Sequence, residues 1–481
     1  MSKLSRRQVL RAASLASCLA VLTACGATPT PQVIKEVVTQ VVEKEVTKMV
    51  EGTPQVVKET VVVEVEKEVV VTATPEAVAA ATPAAAQPVK VDIWIQQYSL
   101  DVMKGSAQAY SEAHPEVTVN MVPTPLEETS NKLLAALAAG SGGPDAAFIQ
   151  YTDMMKFTLR GAKGLSDLTP FMEGRRDDWV KWCLDIVTTD EGRTVGLPED
   201  LGLVALFYRR DVLDAAGEPS DPESVGTALA TWDDIIVTGS KVTKEGERWM
   251  MSNASEYFDI LRQRNEQRYF DDGGQPIVNG PDFVEGGEYI ARARQAGIDA
   301  KWEVWGADWN AAMVDPNGKI VLYPCAAWWD QIIQPSAPDT RGEWGVIPLP
   351  AGYGANWGGS YFVFPQMSQN RAQAFDFCSF VEASEEGLRL YMKSGKFLPG
   401  YKKFYSDPIF TTPDPFYSDQ AWLQLFSAIA EQVPPIHLDL NDSVASEVLG
   451  QAVARILDEG ADPQQALDEA NEEIANRIAG T

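Results

Sequence analysis

At Val89 the chain changes character, and the change fixes most of what can follow. Val89–Ile95 (VKVDIWI) is an apolar run of strand length; an amphipathic stretch follows, then residues 117–122 (VTVNMV), a second helical pattern to Ala139, and residues 145–149 (DAAFI). Short apolar runs separated by 3.6-residue periodicity predict strands alternating with crossover helices, and hence a parallel α/β sheet. In such sheets ligands sit beyond the carboxyl ends of the strands. With 481 residues and 45% hydrophobic side chains, the chain has room for one large two-lobed domain with extra segments.

Upstream of residue 89 no such pattern exists. Residues 1–25 (MSKLSRRQVLRAASLASCLAVLTAC) have a basic start, an apolar run over 12–22 and small residues before a cysteine, which predicts a signal peptide over 1–24. Ser5-Arg6-Arg7-Gln8-Val9-Leu10 resembles a twin-arginine export signal, with an ordinary secretion signal as the alternative. Leu22-Thr23-Ala24-Cys25 resembles a lipobox, so Cys25 is the expected lipidation site. Cys18 sits in a similar box but has too little apolar sequence before it. Two or three acyl chains on Cys25 give stable membrane anchoring where one does not. Residues 25–88 are Val-, Glu-, Lys-, Thr- and Pro-rich, and Glu43-Lys44-Glu45-Val46 returns as Glu66-Lys67-Glu68-Val69. The composition predicts a low-complexity tether, either disordered or a helical stalk, since valines recur about every fourth residue from Ile34 to Val50.

Charge and motifs exclude several functions. The net charge is −28, and Lys3, Arg6, Arg7 and Arg11 lie in a signal segment without acids, so the rest is more acidic still. Such a body repels phosphate backbones, so no nucleic-acid partner is expected. None of the five cysteines forms C-x-x-C and there are only two histidines, which argues against a zinc site. Cys183, Cys325 and Cys378 are read as small buried residues. No nucleophile elbow, phosphate loop, zinc-protease helix or dinucleotide fingerprint is present, so an enzyme is not expected.

A set of motifs runs in order through residues 89–481: His114-Pro115-Glu116-Val117, then 133–145 (LLAALAAGSGGPD), Gly196-Leu197-Pro198, Phe207-Tyr208-Arg209-Arg210-Asp211, Thr231-Trp232-Asp233-Asp234, 344–350 (WGVIPLP) and 462–467 (DPQQAL). Their order and spacing resemble the family 1 extracellular solute-binding proteins. The resemblance implies a type II periplasmic-binding-protein-like fold, with two α/β lobes joined by three hinge crossings near 198–203, 357–360 and 398–401. Lobe one would be 89–200 and 358–399, and lobe two 201–357 and 400–481. A small solute would bind in the cleft between them, close the hinge, and pass to the permease subunits of an ABC importer. A monomer without cofactor or metal, held extracytoplasmically by its lipid anchor, is implied.

The resemblance also places the site. Trp328 follows the apolar run 319–323 (KIVLY) where the family presents a tryptophan to the cleft; Cys325-Ala326-Ala327 departs from the family's turn, which makes Trp329 the second candidate. Gln96, Gln97 and Tyr98 follow strand one, and Gln150, Tyr151 and Asp153 follow strand three. Asp200 stands at the first crossing, beside Gly202, where the family carries an acid. Glu256 and Tyr257 align with a lobe-two acid and its aromatic neighbour, and Gly359 and Ser360 would line the second hinge. Indoles meet sugar C–H faces, and Gln, Asp and Glu meet hydroxyls. Without a basic residue among them, these positions favour a neutral mono- or oligosaccharide over a phosphorylated solute. A polyol or glycerol phosphate as solute, or a surface sensor role without transport, are the alternatives.

Overall fold

The structure, a computed structural model, describes residues 32–50, 53–71, 88–266 and 268–480, in two units, Met1–Ala86 and Gln87–Thr481. The signal segment and Cys25 lie outside the described residues. In the first unit, β1 (Gln32–Val50) and β2 (Thr53–Val71) pair antiparallel. This differs from both the helical stalk and the disordered tether. A spacing of four fits a strand as well as a helix, because residues i and i+4 share a face in both. The register sets Val38, Val42 and Val46 opposite Val65, Val61 and Val57, and Lys44, Glu45 and Glu36 opposite Glu59, Lys58 and Lys67. β-Branched residues and opposite charges across a pair both favour strands.

The second unit is built on one eight-stranded sheet. Its order is β4 (Val117–Pro123), β3 (Val89–Ile95), β5 (Ala146–Gln150), β10 (Asn356–Val363), β6 (Leu197–Arg209), β8 (Ile320–Ala326) and β7 (Trp249–Met251), with β9 (Trp344–Ile347) also on β6. β3 runs parallel to β4 and β5, and β7 parallel to β8, as alternating strands and helices predict. The sheet as a whole is mixed. β10 is antiparallel to both β5 and β6, and β6 is antiparallel to β8 and β9. The reason lies in β6. Its first part pairs with β10 through Leu203, and from Val204 onward it pairs with β8, so one strand serves both halves of the sheet. β10 returns from the second half to the first and therefore runs against its neighbours. Leu201 N–H also bonds Leu398 O at 2.8 Å, tying residue 398 to the same strand.

All of β6 is buried, and its alternation shows how. Ala205 and Phe207 face one hydrophobic core, with Val91, Ile93, Phe148, Trp329 and Trp344, while Val204, Leu206 and Tyr208 face another, with Ile235, Ile260 and Ile474. A strand covered on both faces reads as a continuous apolar run. Helix ends follow the sequence signals. Thr231 and Asp234 form a reciprocal capping box, with Asp234 N–H to Thr231 Oγ1 at 3.2 Å and Thr231 N–H to Asp234 Oδ2 at 2.9 Å. Asp462 caps Pro463–Ala479 by accepting from Gln465 N–H at 3.0 Å. Cys183, Cys325 and Cys378 are buried free thiols. No helix among the described residues is long and apolar enough to cross a membrane.

Candidate functional site

Three adjacent strands bring three polar residues side by side at the middle of the sheet. Ser360 on β10 is opposite Gln150 on β5 and opposite Asp200 on β6. Gln96, the residue after β3, is 5% exposed and joins them. Together they line a cavity of about 550 Å³. Trp328, on the short turn after β8, and Trp357 at the start of β10 also line it. Phe148, Leu126 and Ile332 complete its apolar surface, and no basic residue lines it.

The floor depends on two glycines. A Cβ on Gly202 would come within 2.3 Å of Gly358 N, and a Cβ on Gly359 within 2.8 Å of Asp200 O. Gly359 also has φ +100°, a region that L side chains rarely adopt. β6 and β10 thus touch backbone to backbone where the sheet passes from one half to the other, and a register shift lies between Asn356 and Gly359.

Beneath the floor sits a buried acid cluster. Ser360 Oγ lies 2.6 Å from Glu199 Oε2 and 2.6 Å from Asp200 Oδ1, and the Tyr391 hydroxyl donates to Glu199 Oε1. One hydroxyl proton serves one carboxylate oxygen at a time, so Ser360 alone does not satisfy both acids. Burial, and for Glu199 the neighbouring Asp200, push both carboxyls above the ordinary range. Glu382, 1% exposed, is raised by the same burial and by Glu199 and Asp200.

Of the sequence-derived candidates, Gln96, Tyr98, Gln150, Asp200, Trp328, Gly359 and Ser360 are brought together around this cavity. The others are elsewhere. Gln97 opens the helix Gln97–Ala113 with an exposed side chain outside the cavity wall, because a helix start turns consecutive residues about 100° apart. Tyr151 and Asp153 line a different cavity. Glu256 lies in neither: it is 7% exposed and accepts from Ser252 Oγ at 2.9 Å. Burial raises its carboxyl to about 8. Tyr257 is a core side chain, edge-on to Trp232 at 6.1 Å. Trp329 is fully buried, stacked on Tyr323 at 5.4 Å and edge-on to Phe207 at 5.1 Å, so of the adjacent indoles only Trp328 reaches the cavity.

Sequence reasoning missed Asp101, Val102, Leu126, Phe148, Gln331, Ile332, Trp357 and Ser394, all in the cavity wall. Two groups had a signal. Tyr98, Asp101 and Val102, like Trp328, Gln331 and Ile332, stand at i, i+3, i+4, so extending each candidate along its helix face finds them.

This architecture is matched by known proteins. The family model for "Bacterial extracellular solute-binding protein" matches residues 105–416, well over half of the chain. The chain belongs to the bacterial extracellular solute-binding proteins. The arabinooligosaccharide-binding protein of Bacillus subtilis (strain 168) is 25% identical over 412 residues, covering 79% of this chain and 90% of that protein. The lactose-binding protein of Rhizobium radiobacter is 26% identical over 384 residues, covering 76% and 87%. A solved extracellular solute-binding protein family 1 structure superposes with a TM-score of 0.71 at 23% identity, covering 81% of this chain and 99% of that chain. The fold is therefore the type II periplasmic-binding-protein fold that the motifs implied, and family members act as binding proteins.

Proposed function

We propose that this protein captures a neutral oligosaccharide outside the cell, closes its lobes on it and presents it to the permease subunits of an ABC importer. The carrying observation is the cavity wall, which combines two indoles with Gln96, Gln150, Asp101 and Asp200 and holds no cationic side chain. Hydroxyls donate to the carboxylates and exchange hydrogen bonds with the amides, while indole faces bury sugar C–H groups. The relatives' names, an arabinooligosaccharide binder and a lactose binder, support the same class. A glycerol phosphate or other phosphorylated solute is disfavoured, because burying its charge here would leave it unpaired. In this reading the chain performs no catalysis, the lobes divide near the crossings at 198–203, 357–360 and 398–401, and Cys25 carries the membrane anchor.

The test is a thermal-shift series against neutral oligosaccharides, including arabinooligosaccharides and lactose, with glycerol phosphate alongside. A true solute at a hundred times its Kd stabilises the folded state by about 2.7 kcal/mol, a shift of several degrees. Stabilisation by glycerol phosphate and by none of the neutral sugars would reject the proposal.

A further inference from the structure

Beneath the floor of the candidate solute cavity, three carboxyls meet without a cation. Glu199 is fully buried and stands outside the cavity wall, whereas its neighbour on β6, Asp200, lines it. Ser360 on β10 lies between them, its Oγ 2.6 Å from one oxygen of each. Glu382, on the helix Arg371–Ala383, is buried with neither oxygen hydrogen-bonded. The other titratable groups facing the three are Tyr98 from the helix Gln97–Ala113, Tyr361 from β10, Cys378 from Arg371–Ala383 and Tyr391 from the helix Glu385–Ser394. Among the described residues no cationic side chain forms an ion pair with Glu199, Asp200 or Glu382.

Like charges this close, shielded from water and without a counter-ion, do not all ionise at neutral pH. The hydrogen bonds select the acid that keeps a proton. Glu199 is served by the hydroxyls of Ser360 and Tyr391. Asp200 draws in addition on the backbone N–H groups of Ser360 and of its own residue, which favour its charged form. Hydrogen bonding between the two carboxyls raises Glu199 and lowers Asp200. The proton therefore belongs on Glu199 and the charge on Asp200, the acid that lines the cavity and can accept solute hydroxyls. A solute seated against Asp200 takes water away from the pair, so ionising Glu199 costs more with the solute bound than without it. By linkage the bound form holds the proton more tightly, and a rise in pH weakens solute binding to the same extent.

We propose that Glu199 is a positioning residue of the solute site: across Ser360 it holds a proton, taken from solvent, beside Asp200, and solute affinity falls when that proton leaves. The inference rests on the reading of this cavity as the solute site. Glu199 does not touch the solute; it acts by keeping Asp200 the one ionised acid of the pair. The packing joins the two places. Tyr98 in the cavity wall stacks on Phe397 at 6.1 Å, and Phe397 stacks at 5.2 Å on Tyr391, whose hydroxyl donates to Glu199.

Calorimetric titration of the full chain with arabinotriose, lactose and glycerol phosphate, between about pH 5 and pH 9, tests it. The affinity for a neutral sugar should fall at least about tenfold across that range, and titrations in buffers of different ionisation enthalpy should show net proton uptake on binding. In Glu199→Gln, which keeps a donor and cannot titrate, the affinity should vary by less than about twofold with pH and the proton uptake should vanish. Glu256→Gln, which alters a buried acid away from the cavity, should keep the pH profile of the unmodified chain. The proton count on the unmodified chain needs no variant, and holds even where Glu199→Gln fails to fold. Sugar binding with pH-independent affinity and no proton uptake overturns the proposal and leaves the proposed function standing. So does a Glu199→Gln profile that matches the unmodified chain. Binding of glycerol phosphate in place of both sugars rejects the proposed function and this proposal together.

Discussion

Single residues show where a sequence argument holds and where it loses its footing. Trp328 and Trp329 are adjacent, yet one lines the cavity and the other is core, and nothing in composition distinguishes them. The difference has consequences that can be measured. As an aromatic anchor in the solute cavity, Trp328→Ala should lower affinity by about 2 kcal/mol or more, roughly thirtyfold, with little change in melting. Trp329→Ala should instead cost roughly 3–5 kcal/mol of stability, because it empties a site packed against Tyr323, Phe207 and Trp344. Titration and melting of both variants decide between these roles. Glu256 makes a similar point. The resemblance put it in the cleft, but its carboxyl is held in the core, where burial lifts it from the usual 4.5 to about 8. A raised acid binds its proton more tightly in the folded state, so its contribution is complete below about pH 4.5 and is lost as pH rises toward 8. Glu256→Gln should therefore flatten the fall in melting temperature between pH 5 and pH 8, by on the order of 4 kcal/mol at the upper end. It should leave solute affinity unchanged; a large loss of affinity would return Glu256 to the site.

At the scale of elements, the strands were legible and the pairing around β6 and β10 was not. Val89–Ile95 and the runs after it announce β3, β4 and β5 by length and apolar content, and the caps at Thr231 and Asp462 are local chemistry that tertiary structure did not override. The antiparallel β10 and the double service of β6 depend on contacts between residues some 160 apart, as with Ser360 and Glu199, and no local pattern encodes those. Equally, a four-residue valine spacing could not separate a helix from the paired strands β1 and β2. The contact between β6 and β10 is nevertheless sharp enough to test. Gly202→Ala drives a methyl into the Gly358 backbone, so β6 and β10 must part, and a cost of about 1–3 kcal/mol is expected. Gly450 is the control: it lies in the helix Asp442–Ala454, where an added methyl would meet nothing within 4 Å, so Gly450→Ala should stabilise by up to about 1 kcal/mol. Chemical denaturation of the two variants should give opposite signs.

Across the body formed by Gln87–Thr481, the first cavity takes walls from both halves of the sheet, which β6, β10, the tie at Leu201–Leu398 and the core of Val91, Phe148, Trp329 and Trp344 connect. On the function proposed, a solute touching both walls favours the arrangement in which both contacts are made. The motion can be followed with spin labels at two exposed helix positions, Lys104→Cys on Gln97–Ala113 and Lys241→Cys on Trp232–Val242. Native thiols do not interfere once Cys25 is replaced by serine in the mature chain, since Cys183, Cys325 and Cys378 are buried and burial raises each of them well above the range of a reactive thiol. Saturating neutral oligosaccharide should shorten the label-to-label distance and narrow its distribution. Trp328→Ala should require at least about thirtyfold more solute to reach the same short distance, because the indole is part of what the closed arrangement gains. An unchanged distance at saturation, with binding shown by calorimetry in the same sample, would mean that the solute is held by one wall alone and that capture by this protein does not depend on closure.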